Sequence, residues 1–173
     1  MTKTSNTVGV VLLVPNPLGS QVTRLRARIG DALGMAIPTH ITLLPPTRVS
    51  AGQSEALEEH LAQVASHHEA PTIKVNGTGT FRPTSDVVFL AISEGVQACA
   101  DLNAAVCSGP VTSPSVFPFH PHITLAHDLA PQVLDHVAAE YVDVRAEFRV
   151  PQISLYRLDD QGRWQVRAHY PCA

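Results

Sequence analysis

The sequence predicts a mixed helix and strand fold built as one domain of two related lobes that face each other, spanning roughly residues 8–82 and 86–170. Two observations predict it. The order strand, helix, strand, helix, strand can be read twice along the chain. The tetrapeptide His40-Ile41-Thr42-Leu43 also returns as His122-Ile123-Thr124-Leu125, close to half of the 173-residue length later. Internal duplication accounts for both.

Val8 to Val14 is a continuous β-branched run, the signature of a strand buried on both faces, and Pro15 and Pro17 stop it. From Gly19 to Leu33 the apolar positions Val22, Leu25, Ile29 and Leu33 recur at helical spacing. Arg24, Arg26 and Arg28 fall on the other side, and Gly34 follows the end. His40 to Leu44 is a short strand closed by Pro45-Pro46. Ser54 to His67 is a second helix with Leu57, Leu61 and Val64 as its buried stripe and Ser54 as its cap. Thr72 to Val75 and Gly79 to Phe81 are strand segments around a break at Gly77 and Gly79.

The second half begins with a strand over Asp86 to Ile92. A helix over Gly95 to Cys107 follows, with Val96, Cys99, Leu102 and Val106 on one face, and then a strand over Pro121 to Ala126. Pro131 to Tyr141 is a short helix with proline suitably at its start. Arg145 to Leu158 alternates around Pro151, and Trp164, Val166 and Ala168 alternate after Gly162, so the C-terminus is expected to form a β-hairpin.

Composition narrows the function classes. A content of 45% hydrophobic and 16% charged residues suits a compact soluble domain. A net charge of −3 gives no overall pull toward a phosphate backbone, so any nucleic-acid contact is expected to be local. Cys99, Cys107 and Cys172 are odd in number and have neither disulfide-framework nor zinc-site spacing. Met1 to Thr7 with one lysine, followed by Val8 to Val14, resembles a weak signal-peptide start. The run is too short to span a bilayer and has no clear cleavage site, so cytoplasmic residence without membrane contact, as a monomer, is expected.

In a strand, residues i and i+2 share a face, so His40 projects with Thr42, and His122 with Thr124, while Ile41, Leu43, Ile123 and Leu125 turn to the apolar side. If a pseudo-twofold axis relates the lobes, two imidazoles and two hydroxyls converge on one groove. That set suits a tetrahedral phosphate. The hydroxyls donate to non-bridging oxygens, and one imidazole attends each apical oxygen of an in-line displacement. An ordinary pKa of about 6.5 lets one ring act as acid and the other as base near neutrality. Hydroxyls stabilise the developing charge less than arginine does, so a nearby cation or backbone N–H is expected to help. Nine histidines, and His120-Pro121-His122 in particular, raise a metal site as a competing reading, but the first motif has no Asp, Glu or Cys at matching spacing, so no metal or other cofactor is expected. His127 either assists the site or lies exposed, the latter being favoured.

The two motifs, with Pro121 ahead of the second, resemble the 2H phosphoesterase superfamily and within it the 2'-5' RNA ligase-like branch of RNA 2',3'-cyclic phosphodiesterases. The resemblance implies a bilobal, duplicated, pseudo-twofold α+β fold in which two antiparallel sheets line a central cleft with helices outside. It also implies metal-independent opening of a 2',3'-cyclic phosphate, on an RNA end or a nucleotide, to a 2'-phosphate. His40 would protonate the leaving 3'-oxygen and His122 would activate water. Joining of 2'-5' ends and an inactive RNA- or nucleotide-binding module are the alternatives. Where this branch often carries arginine two positions before the second histidine, this chain has His120, so phosphate affinity is expected to fall as pH rises. The cationic role passes to Arg157 or Arg82, and Tyr156 joins Arg157 as a candidate from the last hairpin. Phe81, Phe117 and Phe119 stack a base or plug the core, with the core favoured.

Overall fold

The computed structural model describes residues 6–173; the Met1–Ser5 part of the segment read as a weak signal-peptide start lies outside the described residues. Among the described residues, eight strands and four helices alternate in the order β1 (Asn6–Leu13), α1 (Leu18–Arg28), β2 (His40–Val49), α2 (Ala51–His67), β3 (Thr72–Thr80), β4 (Val87–Glu94), α3 (Val96–Cys107), β5 (His122–His127), α4 (Pro131–Glu140), β6 (Arg145–Arg149), β7 (Gln152–Leu158) and β8 (Trp164–Pro171), with one 3-10 turn at Ala32–Met35. They form two four-stranded antiparallel sheets, β2-β1-β7-β8 and β5-β4-β3-β6. Helix α2 packs on the first sheet and α4 on the second, and their buried residues, Leu57, Leu61 and Val64 on α2 and Leu134 and Val137 on α4, belong to one continuous apolar core.

The sheets do not follow the two sequence spans 8–82 and 86–170. Strand β3, from the first span, lies in the second sheet beside β4, while β7 and β8, from the second, complete the first sheet beside β1. The cause is local: the short 81–86 connection makes β3 and β4 antiparallel neighbours, which leaves the far side of β1 to be filled by the C-terminal hairpin. The helices interlock the halves further, since α1 touches β5 and α3 touches β2.

Several boundaries also shift for identifiable reasons. Helix α1 stops at Arg28, short of Leu33, because Gly30 takes a left-handed conformation (φ +75°) and Leu33 ends up 57% exposed on the 3-10 turn. Arg26, placed by periodicity on the outer side, is instead buried and paired with Asp31 at 2.9 Å. Strand β2 continues through Pro45 and Pro46 to Val49, which an edge strand tolerates because one side of its backbone has no ladder to lose. Helix α2 is capped by Ser50 rather than Ser54: the Ser50 hydroxyl accepts the Gln53 N–H at 3.1 Å and the Gln53 amide oxygen accepts the Ser50 N–H at 3.0 Å. Strand β3 runs unbroken through a register shift at Val75/Thr78, with Gly77 at φ +70°. Val96, expected on the buried face of α3, is 43% exposed.

Candidate active site

Both His-x-Thr motifs sit on the edge strands of their sheets, and β2 and β5 lie against each other across the seam between the sheets. Alternation operates as the pleat requires. Ile41, Leu43, Ile123 and Leu125 are buried in the core, while His40, Thr42, His122 and Thr124 remain partly exposed on the cleft side. The partner strands extend the same faces: Leu13 stands opposite His40 and Val11 opposite Thr42, Ala91 opposite His122 and Phe89 opposite Thr124.

The two histidines are held identically. His40 Nδ1 lies 2.8 Å from the Pro38 carbonyl and His122 Nδ1 lies 2.7 Å from the His120 carbonyl, in each case two residues back along the chain. A carbonyl accepts only, so Nδ1 must carry the proton, and in the neutral ring Nε2 is then the free base. Neither threonine hydroxyl has a side-chain hydrogen bond among the described residues, which leaves both for a ligand.

Burial controls protonation. The His40 ring is pushed down from 6.5 to about 4, chiefly by removal from water, with the Arg26 and His122 charges adding to the effect and the Pro38 carbonyl opposing it. His122 moves the same way, again mainly through burial, with the His120 carbonyl opposing the shift and the His120 ring adding a smaller push. Both rings are therefore neutral at pH 7 in the free protein. An anionic phosphodiester bound between them opposes that shift and favours placing one proton on the pair.

A cavity of about 920 Å³ opens beside the seam, and Thr42, His122 and Thr124 line it. His40 lies outside its lining but close enough for its charge state to depend on His122. Phe81 stands edge-on to His122, with centroids 4.9 Å apart at 90°, and packs against Phe89 at 4.5 Å; His120 adds a further edge contact to Phe81 at 5.3 Å. Phe81 therefore buttresses the His122 ring as well as lining the cavity. Phe117 and Phe119 line the cavity too, Phe117 being 66% exposed and Phe119 packed against the core.

The structure does not bring the two candidate arginines into the cavity. Arg82 pairs with Asp135 at 2.8 Å, and Arg157 lines a separate groove with Asp159 and Gln165. Tyr156 is buried two strands away from the first motif, clustered with Val11, Ile37 and Trp164, and does not line the cavity. Sequence reasoning passed over Asn103, whose amide donates to the Leu43 carbonyl at 2.8 Å, and favoured exposure for His127, which lines the cavity. Among the described residues no three of His, Cys, Asp and Glu are grouped as a metal site requires.

A sequence profile of the 2'-5' RNA ligase superfamily matches residues 14–162, which covers both motifs and all but the ends of the fold. The chain belongs to this superfamily. Among curated relatives, a protein of Geobacillus thermodenitrificans (strain NG80-2) named "Putative phosphoesterase" is 28% identical over 168 residues, covering 91% of each chain. Among solved structures, E. coli LigT complexed with 3'-AMP aligns with a TM-score of 0.69 at 20% identity, over 98% of this chain and 99% of that one. TT0787 of Thermus thermophilus aligns at 0.68 and 20% identity, over 95% and 97%. At that identity the structural likeness establishes the shared two-sheet fold. Membership of the 2'-5' RNA ligase superfamily makes phosphoesterase chemistry the class to which this cleft belongs.

Proposed function

We propose that the protein is a metal-independent cyclic phosphodiesterase that opens a 2',3'-cyclic phosphate, on an RNA end or a nucleotide, to a 2'-phosphate, acting as a monomer in the cytoplasm. The observation that carries the reading is the pair of imidazoles on facing edge strands, each with Nδ1 tied to a backbone carbonyl and Nε2 left for chemistry. In-line attack needs a base at one apical oxygen and an acid at the other, and two equivalent rings either side of one phosphate meet that need. Thr42 and Thr124 donate to the non-bridging oxygens, and His120, beside His122, adds a cation when protonated. Crystal structures of E. coli LigT with 3'-AMP, ATP and NADP+ show that a relative of the same fold accepts nucleotides.

In this reading His40 protonates the departing 3'-oxygen and His122 takes the proton of the attacking water. The reverse assignment has one support: burial holds the His40 ring down to about 4, which disfavours it as the protonated partner in the free protein. A leaving-group test separates the two. An activated aryl phosphodiester departs without an acid, so His40→Ala should be largely rescued on it while His122→Ala is not. Rescue of His122→Ala alone reverses the roles, and rescue of neither makes both histidines phosphate binders.

A further inference from the structure

The cavity beside the motifs has a second polar end. In β2 the register passes from Val11↔Thr42 to Val10↔Leu44, so Leu43 is an extra residue; in β5 it passes from Phe89↔Thr124 to Val88↔Ala126, so Leu125 is extra. The same bulge thus follows both His-x-Thr motifs. A bulge of this kind resets alternation, so the residue three beyond each threonine returns to the threonine's own face. Those residues are Pro45 and His127, and both line the cavity. The pseudo-symmetry is broken chemically here: a proline ring faces one side and an imidazole the other.

The His127 side chain makes no hydrogen bond to the protein among the described residues. Its Nδ1 is buried, 3.5 Å from the carboxylate of Asp128, which leaves Nε2 as the ring nitrogen available to a ligand. Thr84, Ser85, Ser113 and Ser115 line the cavity as well. The Ser113 and Ser115 oxygens already accept backbone N–H groups, which leaves their hydroxyl protons to be donated.

Fixed charge is missing from this wall: no Lys, Arg, Asp or Glu is among the described residues that line the cavity. Arg26 is buried and paired with Asp31, and Arg82 is paired with Asp135, so both guanidinium groups are already engaged. At the His127 end the adjacent groups are acidic, since Asp128 follows His127 and its N–H bonds to the carbonyl of the exposed Asp86. A second phosphate would find no permanent cation there and two carboxylates close by.

Resting on the cyclic phosphodiesterase reading, we propose that the cleft selects a singly charged nucleoside cyclic phosphate with no further phosphate groups, a free mononucleotide rather than an RNA end, and that His127 is the hydrogen-bonding anchor for its uncharged part. The three residues from Thr124 to His127 span about 10 Å of strand, comparable with the reach from a ribose phosphate to the far edge of its base. The roughly 920 Å³ available holds a ligand of that size.

The test compares adenosine 2',3'-cyclic phosphate, its 5'-phosphorylated form and an ApA dinucleotide with a 2',3'-cyclic end. The account expects kcat/KM to fall roughly tenfold for the added phosphates at low ionic strength, with the gap narrowing as salt is raised. Calorimetry should rank adenosine 2'-phosphate above both adenosine 2',5'-bisphosphate and ATP as a ligand. His127→Leu should raise KM for the cyclic nucleotide several-fold with little change in kcat, and His127→Gln, which keeps a hydrogen-bonding group in place, should recover most of the loss. Equal or better use of the 5'-phosphorylated or dinucleotide substrate overturns the proposal, as does a His127→Leu defect confined to kcat. If none of the three substrates turns over, the cyclic phosphodiesterase reading fails, and the ligand ranking alone then decides the charge limit.

Discussion

His40 and His122 are neutral by virtue of burial, and that sets where the protein should work. The kcat/KM profile reports the free enzyme, so its two limbs should lie between about 4 and the ordinary histidine value of about 6.5, giving a bell with an acidic optimum. Because the pair titrates together, the limbs belong to the pair and not to either ring. An optimum well above pH 7 would show that the free protein does not desolvate these rings. Stability carries the same sign. The folded state disfavours protonated His40, so the contribution is intact above the unfolded value of about 6.5 and is lost as pH falls toward 4. The threonines should behave differently from the histidines. Thr42→Val and Thr124→Val keep the shape and remove a donor, so each should slow catalysis roughly tenfold or more while leaving the pH optimum in place; a large shift of the optimum would make the hydroxyl a partner in proton transfer. These four side chains were legible from sequence because a period of two and an exact repeat place them without any tertiary information. Arg26 and His127 were not: a buried ion pair with Asp31 and a bulge one residue past Thr124 both override simple periodicity.

At the level of elements, the sequence placed the four helices but read Arg145 to Leu158 as one segment alternating around Pro151, where the chain passes from β6 in one sheet to β7 in the other, and it misplaced several ends, each for an identifiable physical reason. Side-chain caps and left-handed glycines end helices, and neither leaves a periodic trace. Ser50 illustrates it, since the Ser50 and Gln53 pair lies ahead of the apolar stripe that suggested Ser54. Ser50→Ala should cost about 1 kcal/mol in chemical denaturation, with Ser54→Ala near neutral. Equal losses, or a larger one at Ser54, would mean that the cap is not what starts α2. Prolines misled in the other direction. Pro45 and Pro46 punctuate the sequence, yet β2 runs through them because it is an edge strand, and Pro45 thereby reaches the cavity wall.

Across the whole molecule, the duplication was visible but the exchange of strands was not. Sequence repeats report ancestry of a unit, whereas sheet membership depends on which neighbours a short connection brings together. With β3 given to one sheet and β7 and β8 to the other, neither span is a complete lobe, and both motifs depend on strands contributed by the opposite span. That exchange fixes β2 and β5 as facing edges, and the proposed mechanism, two distant histidines acting on one phosphate, depends on those facing edges. The most direct test of this is turnover of adenosine 2',3'-cyclic phosphate in excess EDTA by the wild-type protein and by His40→Ala and His122→Ala. The account predicts adenosine 2'-phosphate as product at a rate that chelation does not change, with each variant slower by roughly 10²- to 10⁴-fold. Activity abolished by EDTA and restored by zinc or manganese, or alanine variants as fast as wild type, would contradict it.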